Sequence, residues 1–62
     1  MENKISEILG FEVKQVEETR CTLVSTQFTN DDFVIEKTDI EGLYFVMSYN
    51  VNYDFVTYFK TV

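Results

Sequence analysis

The 62-residue chain has no histidine, no tryptophan and no proline, one cysteine and two glycines. Without histidine it lacks the side chain that most often moves protons near neutral pH and the imidazole that most often binds metals. A single cysteine, Cys21, can close no intramolecular disulfide, and there is no Cys/His cluster for a structural zinc. Gly10 and Gly42 stand alone, so no glycine-rich loop is present to cradle a phosphate. The expectation is a protein with no catalytic residue, no metal and no cofactor. An enzyme would have to rely on carboxylates, tyrosines and lysines in a chain too small to enclose much of a pocket.

Long hydrophobic runs are missing as well. No stretch approaches the roughly 18 apolar residues of a membrane span, and the N-terminal MENKISEILGFEV has neither the apolar core nor the small-residue cleavage site of a signal peptide. A cytoplasmic protein is expected, and one free thiol agrees with a reducing compartment. Cys21 reads as a small buried apolar residue rather than a reactive one.

Positive charge is scarce. Lys4, Lys14, Arg20, Lys37 and Lys60 are scattered among eleven acidic residues, for a net charge of −6. That balance argues against direct binding to a nucleic-acid backbone or an anionic membrane. It favours a protein partner with a basic surface, such as the groove of a nucleic-acid-binding protein, besides keeping a small chain soluble.

Aromatic residues are plentiful: six Phe and four Tyr. The length allows one domain, residues 1–62, and a chain this short buries only about 60% of the surface that its unfolded form exposes. With no disulfide or metal to help, the remaining sources of stability are apolar burial and oligomerisation, which makes a homodimer an expectation.

Ile5, Ile8 and Leu9 fall on one helical face, Glu2 favours the positive end of a helix and Gly10 stands where a C-terminal cap belongs, so residues 2–9 are expected to form a short helix. From Phe11 onward the composition changes to Val, Thr, Phe and Tyr with partial alternation. Strands are expected at 11–18, 21–28, 33–37 and 43–49, punctuated by TNDD at 29–32 and TDIEG at 38–42. The segment YDFVTYFKTV has both helical and strand spacings. Its β-branched and aromatic content favours a fifth strand, joined to the fourth by Asn50, Val51 and Asn52. The expected fold is α+β: a short N-terminal helix followed by a small antiparallel β-meander of about five strands.

Register can be argued from which residues would face each other. A TDIEG loop sets Lys37 opposite Leu43, Ile35 opposite Phe45 and Phe33 opposite Met47. In the C-terminal hairpin the loop of Asn50, Val51 and Asn52 sets Tyr49 opposite Tyr53, Met47 opposite Phe55, Phe45 opposite Thr57 and Leu43 opposite Phe59, with Val46 facing Val56 and Tyr44 facing Tyr58 on the other side. The hairpin is then apolar on both faces while only one small helix is available as cover. Tyr44, Val46, Val56 and Tyr58 are therefore the candidate contact face, with Tyr49, Tyr53 and Asp54 at its tip.

The carboxylates suggest no chemistry. Glu17 and Glu18 are adjacent and would point to opposite sides of a strand, and Asn30, Asp31, Asp32, Asp39 and Glu41 lack the spacing of a calcium loop. They read as turn chemistry and an acidic rim. The functional expectation is a non-catalytic protein that binds and inhibits or regulates a larger protein. Phages and mobile elements encode short acidic chains of this style against host nucleic-acid-acting or defence proteins. The alternative is an oligomeric module that binds a small molecule between copies, with Asn50 to Tyr53 near its pocket.

Overall fold

The computed structural model describes residues 2–48 and 56–62. Helix α1 (Glu2–Leu9) is followed by strands β1 (Val13–Val16), β2 (Leu23–Thr29), β3 (Phe33–Thr38), β4 (Leu43–Ser48) and β5 (Val56–Thr61). The strands form one antiparallel sheet in the order β1-β5-β4-β3-β2. The α+β architecture with a meandering antiparallel sheet is thus the one the chain adopts. Its meander is β2 to β5, and β1 joins it by pairing with β5.

Eight residues are too few for a helix to persist by itself, so α1 depends on what its apolar side covers. Ile5 is completely buried, and Ile8 and Leu9 pack against the same cluster, which comprises Val13, Phe33, Ile35, Val46 and Phe59. The helix closes where Gly10 takes φ 87° and its amide donates to the Ser6 carbonyl at 2.9 Å.

The segment YDFVTYFKTV contributes β5 at Val56–Thr61, so its described part is extended. Registers differ from expectation. Ile35 lies opposite Val46, Lys37 opposite Tyr44 and Phe33 opposite Ser48; across the next pair Tyr44 meets Phe59, Phe45 meets Tyr58, Val46 meets Thr57 and Met47 meets Val56. Each ladder is displaced by one residue. Ile35, Thr57 and Phe59 still share a face, so the net correction is that β4 alone is turned over. The physical cause lies in the β3–β4 loop, which has four residues and not five. Thr38 stays in the strand, where its buried hydroxyl donates to the Leu43 carbonyl at 2.9 Å and accepts from the Ile40 amide at 3.2 Å. Gly42, at φ 81°, completes the reversal. The expected Tyr49–Tyr53 and Met47–Phe55 pairs involve residues outside those described, although Met47 itself pairs with Val56.

The two edges of the sheet are treated differently. On β1 the Val13 amide donates to the Ser6 hydroxyl at 3.1 Å and the Gln15 amide to the Glu2 carboxylate at 2.9 Å. These are alternate residues of an edge strand, the set whose amides turn away from the neighbouring strand, so α1 blocks that edge. Among the described residues the β2 edge has no such cover: six of its seven residues are exposed, and only Phe28 is half-buried, its ring 5.5 Å from that of Phe33.

Candidate functional site

Because β1 and β2 lie at opposite edges, residues 17–22 must carry the chain across the sheet. Four strand spacings amount to about 19 Å, and the seven steps from Val16 to Leu23 reach about 23 Å when extended. The connection is therefore a nearly taut strap. Thr19 and Cys21 are half-buried while Glu18, Arg20 and Thr22 are exposed, as an extended segment lying on a surface requires. At its far end Thr22 is tied to the β3–β4 loop: its amide donates to the Asp39 carboxylate, and its carbonyl accepts from the Asp39 amide, both at 2.9 Å.

The face beneath the strap is the one away from α1. Alternation puts Val34, Leu43, Phe45, Met47, Val56 and Tyr58 there. Leu43 and Val34 are buried, the former to 2% exposure, although α1 lies on the opposite side of the sheet. Phe45 and Tyr58 make an edge-to-face ring contact with centroids 5.2 Å apart. Towards the β1 edge the cover ends and a cleft of about 470 Å³ opens, lined by Gln15, Val16, Glu18, Phe45, Val56, Thr57 and Tyr58. Val56 remains 52% exposed at its rim.

Electrostatics mark Tyr58. Its pKa is raised above the ordinary 10.0, first by desolvation and then by the negative charges that Cys21 and Glu18 present to it. The phenol therefore stays neutral through the physiological range and serves as a hydrogen-bonding tip on an aromatic wall. Among the described residues that line the cleft, none pairs a nucleophile with a base.

The structure divides the candidate contact residues. Val56 and Tyr58 are together in the cleft, whereas Val46 is fully buried on the α1 side and Tyr44 packs there against the core, its ring 5.9 Å from Phe11. Turning β4 over moved Tyr44 and Val46 to the helix side and put Phe45 in their place. Tyr49, Tyr53 and Asp54, like Asn50 to Asn52, fall outside the described residues. Sequence reasoning missed Phe45 and the strap residue Glu18 as neighbours of Tyr58; no local signal reveals a contact made by a crossover. It also passed over the β2 edge, whose sign in the sequence is a run without charge from Cys21 to Asn30.

The acidic loops serve as turns and anchors. The Asn30 side-chain oxygen accepts from the Asp32 and Phe33 amides, each at 2.8 Å, shaping the β2–β3 turn, and Asp39 holds the strap as described. Among the described residues no three acidic or cysteine side chains converge as metal ligands would, and no helix is long and apolar enough to cross a membrane. Comparison with known proteins adds no identity: no family model, curated protein or solved structure matches the chain.

Proposed function

We propose that the protein works by contact, docking through the Phe45, Val56 and Tyr58 face onto a larger protein with a basic surface and thereby inhibiting or regulating it. The observation that carries this reading is the cleft itself: a half-exposed valine beside two aromatic rings in edge-to-face contact, bordered by the Glu18 carboxylate. An apolar anchor, a phenol that remains protonated and an adjacent negative charge form the composition of a protein contact with a polar rim. A net charge of −6 adds long-range attraction towards a basic partner. Acid beside aromatic rings also resembles phosphate beside base, which suits a partner that acts on nucleic acid, including the host targets of phages and mobile elements.

Affinity capture from the cell that makes the protein tests this, with wild type and a Val56→Asp variant as baits at low and high salt. A stoichiometric partner held by wild type, weakened by salt and lost with Val56→Asp, is the expected result. Equal capture by both baits, with the variant's fold verified by circular dichroism, overturns it. The cleft volume also gives a small-molecule module a specific basis, since about 470 Å³ falls within the usual range of ligand sites. A ligand-dependent rise in melting temperature that Tyr58→Ala abolishes would favour that reading instead.

A further inference from the structure

We propose that the cleft beside Tyr58 receives an arginine side chain of the protein partner, its guanidinium laid against the Phe45 and Tyr58 ring pair and hydrogen-bonded to the Glu18 carboxylate. This rests on the docking reading above and adds which group of the partner is recognised.

The lining of the cleft decides the sign of charge. Among the residues that form it, Glu18 is the one that carries a charge, and none is a lysine or an arginine. Lys14 and Lys60 face each other one pleat further along β1 and β5, outside that lining. The influences on Tyr58 agree: desolvation raises its pKa first, then Cys21 and Glu18, whose charges are both negative. A cation entering the cleft therefore meets an attraction, where a phosphate or a carboxylate meets repulsion. The net charge of −6 draws cationic groups from a distance as well.

The shape of the wall selects among cations. Phe45 and Tyr58 meet edge to face, with an interplanar angle of 67° and 5.2 Å between centroids. In such a contact the ring that offers its edge keeps its own faces clear of the other ring. An aromatic face attracts a cation placed over it, and a planar guanidinium can stack there. Glu18, carried by the strap, borders the same space as the rings. Its carboxylate can accept two parallel N–H bonds from a guanidinium, and the neutral Tyr58 hydroxyl can accept another. A lysine ammonium matches the charge but has neither the plane nor the fork. The volume of about 470 Å³ admits a long side chain, and Val56, 52% exposed at the rim, offers its methyl groups to the methylene stem.

Amide NMR titrations with three blocked tripeptides, Gly-Arg-Gly, Gly-Lys-Gly and Gly-Gln-Gly, test the proposal at about 0.1 M salt, where distant charges are screened. The arginine peptide is expected to shift the Phe45, Val56 and Tyr58 signals saturably with a Kd of about 1–10 mM, and to bind at least about threefold more tightly than the lysine peptide. The glutamine peptide is expected to leave those signals in place. Glu18→Gln, on the exposed side of the strap, should weaken the arginine peptide about fivefold. At least one of Phe45→Leu and Tyr58→Leu should weaken it by a similar factor, with circular dichroism verifying that each variant is folded. Equal affinity for the arginine and lysine peptides would mean attraction by net charge alone and overturns the proposal. So do shifts that avoid the cleft, a Kd indifferent to Glu18→Gln, or one indifferent to both ring variants. Docking is judged separately by affinity capture. A partner lost with Val56→Asp, while no arginine peptide enters the cleft, leaves docking standing and removes the guanidinium; equal capture by both baits alongside a cleft-bound arginine peptide does the reverse.

Discussion

The carboxylate of Glu2 accepts a hydrogen bond at 2.9 Å from the amide of Gln15, joining the first turn of the helix to the outermost strand of the sheet. Ser6, one turn further along, does the same for Val13 at 3.1 Å. The two contacts explain why a helix of eight residues holds its position: it is fixed by polar bonds to a strand edge as well as by Ile5 in the core. Replacing Glu2 with Ala should lower stability by about 0.5–1.5 kcal/mol, the net worth of one such bond. Ser6→Ala should cost a similar amount. Amide exchange distinguishes the two: Gln15 should lose protection in the first variant and Val13 in the second.

Ile35 and Val46 face each other across β3 and β4 with no exposed surface on either. With so few fully buried side chains, a deleted methyl group has few neighbours able to move and fill the space. Ile35→Val should therefore destabilise by about 0.5–1.5 kcal/mol and Phe59→Ala by about 3–5 kcal/mol, enough to threaten folding in a chain of this size. Val24→Ala, on the exposed edge, should stay within about 0.5 kcal/mol of wild type. Urea unfolding checks all three.

The same pair explains which parts of the fold were legible in the sequence. Residues 2–9 were legible as a helix because Ile5, Ile8 and Leu9 recur at helical spacing and Gly10 ends the pattern. Strands were legible from β-branched and aromatic content, although nothing in that reading marked β2 as an edge. The orientation of β4 was not. Leu43, Phe45 and Met47 form one apolar set and Tyr44 and Val46 another, so a central strand covered on both faces carries no preference of its own. The length of the preceding loop decided the matter, through the Thr38 hydroxyl and Gly42. The pairing of β1 with β5 was equally hidden, since nothing local in residues 13–16 specifies a strand more than forty positions away. Val56 and Tyr58 could be picked out as contact residues by type, but their true neighbours, Phe45 and Glu18, depended on those two non-local facts.

Gly42 and Gly10 both have positive φ, 81° and 87°, yet they should respond differently to substitution. A Cβ on Gly10 meets nothing within 4 Å, whereas one on Gly42 would stand 2.6 Å from the Thr61 hydroxyl oxygen. Gly10→Ala should cost about 1 kcal/mol, the conformational penalty alone. Gly42→Ala carries the same penalty plus a collision with the end of β5, where the Thr61 amide also donates to the Gly42 carbonyl at 2.9 Å. It should cost clearly more, at least about 2 kcal/mol in total, as positions with both strain and overpacking do. A Thr61→Ala background should bring the Gly42→Ala cost down to that of Gly10→Ala. Equal costs in both backgrounds would show that the hydroxyl is not the obstacle.

Tyr58 sets a limit on stability at high pH. Desolvation, then Cys21 and Glu18, raise its pKa above 10.0, so the folded protein holds the phenolic proton more tightly than the unfolded chain does. Below the unfolded value the hydroxyl is protonated in both states and contributes no pH dependence. Above it the unfolded chain releases the proton first, and folding stability falls as pH rises from about 10 through the folded pKa. Phenolate absorbance should resolve one tyrosine titrating later than a free one, and that component should vanish in Tyr58→Phe. The same variant should lose less stability between pH 10 and 11 than wild type when both are unfolded in urea at each pH. Removing a neighbouring group with Glu18→Gln or Cys21→Ser should shift the late tyrosine back towards its ordinary value. A late component that Glu18→Gln and Cys21→Ser both leave in place would assign the shift to burial under the strap alone.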